Sequence, residues 1–258
     1  SLMSRGLTLQ DARDYNIIGC VEPQKSGKTE GWHDAAFFNM CRPLELVFSN
    51  GMDKGVRIGP ATGNVEDMTT FEQFYDAYKK QMDYAIQLLV NADNAIDMAH
   101  AERCPLPFLS SMVDDCMKVG KTVQEGGAVY NFTGPQGFGV ANMADSLYSV
   151  KTLVYDEKKI TMGELKEALA TNFGKGLGAE DVAAMTAKIA NELKEAGKTI
   201  GEKEVAAILN TVVAASEAPE VKANGERILK LIEEVPKFGN DIPEVDAFAR
   251  DVAYTYTE

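Results

Sequence analysis

The strongest regularity in the chain is an apolar recurrence at helical spacing: Phe71, Phe74, Tyr75, Tyr78, Met82, Ala85 and Leu89. Residues three and four apart share one face of a helix, so the stripe predicts an amphipathic helix from near Thr70 to Arg103. Thr69 and Glu72 have capping-box spacing at its start, and Pro105 and Pro107 close it. Helical patterns recur over 140–155, 161–173, 179–196, 202–215, 219–234 and 243–256, with Thr161 and Glu164 again spaced as a capping box. Residues 34–50 also read as helical with a break near Pro43, and 108–119 as a shorter helix stopped at Gly120. Two stretches depart from this rule. An apolar, strand-like run at 15–18 ends abruptly at Gly19 and Cys20, and Ala-Val-Tyr-Asn-Phe at 128–132 is β-like. The second lies in 125–139, whose five glycines predict backbone packed closely against something, or positions with positive φ. Residues 51–67 carry four glycines and no apolar period, and read as a loop. The predicted class is mainly α with a few short β-strands, too few to build a sheet from this chain alone.

Composition narrows the setting. The 258 residues are 45% hydrophobic and 25% charged, as in ordinary globular proteins, and suffice to bury a sizeable core. With 26 basic against 39 acidic residues the formal charge is −13, which argues against nucleic acid or an anionic membrane as partner. No apolar run approaches the roughly 20 residues that span a bilayer, and the first residues lack the charged-then-apolar pattern of a secretory signal. Cys20, Cys41, Cys104 and Cys116 are irregularly spaced without a CxxC pair, so reduced thiols in the cytoplasm are expected. Residues 174–218 are Ala-rich and Gly-punctuated. They read as a peripheral helical insertion between a core portion, 1–173, and a return to core helices, 219–258.

The candidate chemistry centres on Cys20 and Glu22. In an extended or turning segment, residues i and i+2 project to the same side, which offers a thiol and a carboxylate to one pocket. A neighbouring carboxylate raises a thiol pKa and disfavours the thiolate nucleophile. That leaves a structural thiol or a hydrogen-atom donor. Ser26-Gly-Lys-Thr29 is not a phosphate loop, because Glu22 stands where the pattern needs a glycine. Gly134-Pro-Gln-Gly-Phe-Gly139 has no long buried strand before it and contains Pro135, which argues against a dinucleotide site. Asp97 and His100 are spaced like ligands on a metal-binding helix, yet the pair stands alone in a chain with two histidines, so it reads as a surface ion pair and no metal is expected. His33 beside Asp34 is a candidate acid–base pair, although on a helix adjacent side chains face apart and only one would enter a given pocket.

Gly19-Cys-Val-Glu-Pro23 followed by Gly31-Trp-His-Asp-Ala-Ala36 resembles the cysteine loop of glycyl radical enzymes. Ala92-Asp-Asn-Ala-Ile-Asp97, His100-Ala-Glu-Arg103, Pro105-Leu-Pro-Phe-Leu-Ser-Ser-Met-Val-Asp114, Glu125-Gly-Gly-Ala-Val-Tyr-Asn-Phe-Thr-Gly-Pro-Gln-Gly137, Ala144-Asp-Ser-Leu147 and Pro236-Lys-Phe-Gly-Asn-Asp241 resemble the same family in the same order. Within it the chain is most similar to the B12-independent glycerol and diol dehydratases, outside about 174–218. The resemblance implies a ten-stranded α/β barrel of which this chain is a part. It implies that Cys20 carries a thiyl radical, that Glu22 deprotonates a substrate hydroxyl, and that Asp34, fourteen residues past the cysteine, binds hydroxyl groups. It further implies no bound cofactor but a glycyl radical installed by a radical SAM activating enzyme, a small polyol substrate, and a homo-oligomer.

Departures bound this expectation. No Arg-Val-Ala-Gly-Tyr type motif for the glycyl loop occurs, and family members are much longer, so an internal fragment inactive by itself is expected. Hydroxyproline dehydratase, decarboxylase or formate acetyltransferase-type activity are the alternatives within the family. Outside enzymology the alternative is a helical module that self-associates.

Overall fold

The structure, a computed structural model, describes residues 2–19, 22–176, 205, 207, 209, 213, 214 and 218–257. Its helices are α1 (Leu9–Arg13), α2 (Cys41–Phe48), α3 (Phe71–Arg103), α4 (Pro107–Ser110), α5 (Cys116–Val119), α6 (Val140–Val150), α7 (Met162–Ala170), α8 (Pro219–Glu234) and α9 (Pro243–Thr257). Six strands pair in twos: β1 (Asn16–Ile18) with β2 (Glu22–Gln24), β3 (Thr29–Asn39) with β6 (Tyr130–Phe138), and β4 (Met52–Asp53) with β5 (Val56–Arg57). The chain is mainly helical, as expected. It divides into two compact units, Ser1–Asn39 with Ile86–Phe138, and Met40–Ala85 with Gly139–Glu258.

The second unit is a helical assembly with an aromatic centre. Helix α3 starts where the periodicity placed it, but its cap lies one residue later than expected. The Thr70 hydroxyl accepts the Gln73 N–H (3.3 Å), and the Gln73 carbonyl oxygen takes the Thr69 N–H (2.8 Å). The capping box at Thr161 and Glu164 forms as expected at the head of α7. Phe71, Phe74, Ala77, Tyr78 and Met82 on the first half of α3 are buried. Phe71 meets Phe248 edge-on with centroids 5.6 Å apart, and Phe74 meets Phe48 at 5.7 Å, the geometry favoured by ring quadrupoles. Ala144 of α6 packs against Val245 and Ala249 of α9, where small side chains let the two helices approach. Helix α6 runs on into a π-helical segment, Lys151–Asp156.

The first unit is built around the β3/β6 pair, and here the structure corrects three expectations. Residues 34–39 are strand, not helix: β3 runs to Asn39 and helix begins only at Cys41. The span 108–119 is not one helix but the single turns α4 and α5, interrupted at Asp115, whose φ is 73°. The β-like run extends beyond Phe132 through Gly134-Pro-Gln-Gly137 to Phe138. Strands β3 and β6 run parallel, so their connection must be a long crossover, made by the whole of 40–129. In the second unit the 51–67 segment is a loop containing the small β4/β5 hairpin and a 3-10 turn at Val65–Asp67. The expected helix at 179–196 and most of that at 202–215 lie outside the described residues, and with them most of the 174–218 division.

Candidate active site

Glu22 is placed by a tight hairpin. Ile18 pairs with Glu22 across the antiparallel β1/β2 ladder. Gly19 has φ +57°, and a Cβ there would lie 2.5 Å from Glu22 Oε2. The glycine is therefore required twice, for the left-handed turn and for the closeness of the carboxylate. Cys20 and Val21 lie outside the described residues, so the thiol is located only by chain continuity, two residues before Glu22. Glu22 itself is 6% exposed. A buried carboxylate needs hydrogen-bond donors, and the Gln136 side-chain amide supplies one at 3.0 Å.

Asp34 reaches the same amide from β3. The ladder pairs His33 with Gly134 and then Phe37 with Gln136, so β3 spends four steps where β6 spends two. This bulge falls opposite Pro135, which has no N–H to give to a ladder. Asp34 sits in the bulge with φ 58°, out of the strand alternation, and its Oδ1 accepts from Gln136 Nε2. One nitrogen thus donates to both carboxylates. Adjacent side chains face apart on a helix, but residues 33 and 34 lie at a bulged strand, which has no such constraint. His33 lies over the backbone of Gly31 and Gly134, where an added Cβ would meet its ring nitrogens at 2.4 and 2.9 Å. Its Nε2 is buried with no hydrogen-bond partner among the described residues.

The other candidates separate from this cluster. On the opposite face of the strand pair, a cleft of about 470 Å³ is lined by Glu30, Trp32, Asp97, His100, Cys104 and Phe132, among others. Burial raises the Glu30 carboxyl there. Asp97 accepts the Thr133 hydroxyl at 2.6 Å, and His100 meets Trp32 edge-on with centroids 5.2 Å apart. The expected Asp97–His100 ion pair is thus replaced by two contacts to the strands. No cluster of three or more metal-ligating side chains occurs among the described residues. Cys116 packs with Val123 and Ala128, and burial raises its thiol; Cys41 is raised by the same cause. Cys116 behaves as a packing residue. No helix among the described residues is long and apolar enough to cross a membrane.

Glu22 and Asp34, singled out from the sequence, are therefore brought together. Gln136 was not singled out. Its only sequence signal was its place in Gly134-Pro-Gln-Gly137, because its role depends on a strand register across a hundred residues.

Comparison with known proteins fits this geometry. Residues 1–258 match the model of the family described as pyruvate formate lyase-like. A (2S)-3-sulfopropanediol dehydratase from Klebsiella oxytoca is 40% identical over 67% of this chain, and the matched part spans 21% of that protein's length. A structure concerned with 1,2-propanediol dehydration in Roseburia inulinivorans superposes with a TM-score of 0.94 at 58% identity, covering 99% of this chain and 31% of that one. The glycerol-bound B12-independent glycerol dehydratase from Clostridium butyricum gives 0.78 at 49%, covering 99% and 26%. With a family match over residues 1–258, this chain belongs to the pyruvate formate lyase-like family of glycyl radical enzymes.

Proposed function

We propose that these residues form the cysteine-loop portion of a glycyl radical dehydratase that removes water from a vicinal diol, glycerol or 1,2-propanediol. The observation that carries this reading is the meeting of Glu22 and Asp34 on one amide, two residues from Cys20 in the chain. Loss of water from a diol needs a base for one hydroxyl, an anchor for the hydroxyls, and a hydrogen-atom carrier. Glu22 and Asp34, which meet on Gln136, and Cys20, two residues before Glu22 in the chain, are those residue types. The nearby carboxylate suits a thiol that must stay neutral until it gives up a hydrogen atom.

What the glycyl radical supplies, when present, is one-electron hydrogen abstraction at the loop thiol. In the cycle Cys20 sulfur takes a hydrogen atom from the carbon bearing the first hydroxyl, and Glu22 takes that hydroxyl's proton. The hydroxyl on the neighbouring carbon, held by Asp34, leaves as water with a proton. The thiol then returns its hydrogen atom to that carbon, giving the aldehyde. Diol becomes aldehyde plus water with no net redox change.

The same reading makes β3 and β6 strands of a ten-stranded α/β barrel. A lone two-stranded parallel pair is marginal in water. It also includes a radical SAM activating enzyme as partner, a homo-oligomer, and a cytoplasmic, anaerobic setting. The test uses the full-length activated enzyme, assayed against glycerol, 1,2-propanediol, trans-4-hydroxyproline and pyruvate. Dehydration of a diol is expected, with Cys20→Ser and Glu22→Gln each abolishing turnover while the glycyl radical remains visible by electron paramagnetic resonance. Turnover retained by Cys20→Ser refutes the assignment, and activity confined to hydroxyproline or pyruvate moves the chain to another branch.

A further inference from the structure

We infer that Gln136 is a positioning residue of the dehydration site, its side-chain amide holding the Glu22 and Asp34 carboxylates side by side. The inference rests on the dehydratase reading of those two carboxylates and goes beyond it by adding the group that makes their pairing tolerable. Two carboxylates brought close repel, and the usual relief is for one of them to take up a proton. A base that must accept a hydroxyl proton cannot be kept in that form. An Arg or Lys between them would also relieve the repulsion, but a full positive charge would hold Glu22 too acidic to act as a base. A primary amide meets both requirements: it is neutral, it does not titrate in the working range, and its nitrogen carries two protons, one for each carboxylate.

The backbone is arranged for this contact. Gln136 stands opposite Phe37, at the first ladder pair after the β3 bulge, and the bulge frees Asp34 to reach it. Pro135 lies where the ladder is interrupted, so the bulge strands no β6 N–H. Glu22 arrives from the β1/β2 hairpin, its carboxylate occupying space that a side chain at position 19 would fill. Asparagine, one methylene shorter, would not span both carboxylates. Asp34 of β3 is the carboxylate that shares the amide with Glu22, and β6 contributes the neutral Gln136 between them.

The test compares Gln136→Met, similar in length but without a donor, with the parent full-length activated enzyme. Glu22 works ionised, so activity falls as pH drops through its pKa. Without the amide the ionised form loses a donor and faces Asp34 directly, so the acid limb of the kcat/KM profile is expected to move upward by about one pH unit. A fall in kcat of about 100-fold should accompany it, because both carboxylates lose their aim. The glycyl radical signal should be unchanged. Gln136→Asn, which keeps the amide but reaches one carboxylate, should show the same displacement to a smaller degree, and serves if the Met variant does not fold. An acid limb that superimposes on the parent's in both variants, or a loss of the radical signal in both, overturns the inference. The dehydratase reading has its own arm: if Cys20→Ser and Glu22→Gln abolish turnover while the Gln136 profiles stay put, only the positioning role fails.

Discussion

One helix contrasts the two units. In its first half, which belongs to the second unit, α3 buries Phe71, Phe74, Ala77, Tyr78 and Met82. In its second half, which belongs to the first unit, Leu88, Val90, Ile96 and Met98 are exposed and the buried side chain is Asp93. The units repeat the contrast. Among the described residues, the buried apolar side chains of the first unit are Leu7, Cys116, Val123, Ala128 and Tyr130, while the rest of the core lies in the second. The first unit instead exposes Ile17, Ile18, Phe37, Phe108 and Met117, the last three by 67, 79 and 77%. Apolar surface on that scale marks contacts made elsewhere. The second unit therefore carries its own stability. The first is a frame of strands that presents chemistry and depends on what covers it.

The largest effect that could break this comparison is a pair of truncations on α3. Phe74→Ala removes a fully buried ring and should cost about 3–5 kcal/mol. Ile96→Ala, on the same helix but 41% exposed, should change stability by no more than about 0.5 kcal/mol. Urea unfolding of the 258-residue chain checks both. Equal costs would mean that the two halves are packed alike.

A second effect concerns the uncovered face directly. The 258-residue chain should bind an apolar dye and self-associate with concentration, and Phe37→Ser should weaken both. On the proposed reading, a protein of the relatives' full length should show neither, since the relatives have most of their length outside the matched region. A monodisperse, dye-silent chain would show that the first unit is complete by itself.

What was legible in the sequence follows the same division. The second unit could be read because its signals are local: the Phe71 to Met82 stripe lies within three turns, and Thr161 meets Glu164 three residues on. The first unit could not, because its signals are not local. Ala35, Ala36, Phe37 and Phe38 are compatible with helix, and only the β6 ladder, which Phe37 and Phe38 join about a hundred residues away, draws the segment into a strand. Glu22 was singled out by its i+2 spacing from Cys20 and Asp34 by its place beside His33, and their roles came through resemblance to a family motif. Gln136 was missed because nothing local distinguishes it from any glutamine near a proline. Its function exists only once Phe37 and Gln136 are in register.

The smallest expected effect tests whether polar contacts take the place of the missing core in the first unit. Asp11 is buried, yet it accepts from Tyr130 Oη at 2.7 Å, Lys28 Nζ at 2.9 Å and the Thr8 hydroxyl at 3.0 Å. The Lys28 ammonium first, then the Tyr130 hydroxyl, hold its carboxyl at about 2 against an ordinary 3.8. A carboxyl depressed on folding adds stability that is complete above its unfolded value and is lost as pH falls toward its folded one. The first unit should therefore weaken between about pH 4 and pH 2, and Trp32, the single tryptophan, lies within it and reports the change by fluorescence. Tyr130→Phe removes one donor and brings the carboxyl back toward its ordinary value, so the acid dependence in that window should flatten. The same slope in the variant as in the parent would mean that the Asp11 network does not hold this unit. Its few buried apolar residues would then have to be sufficient.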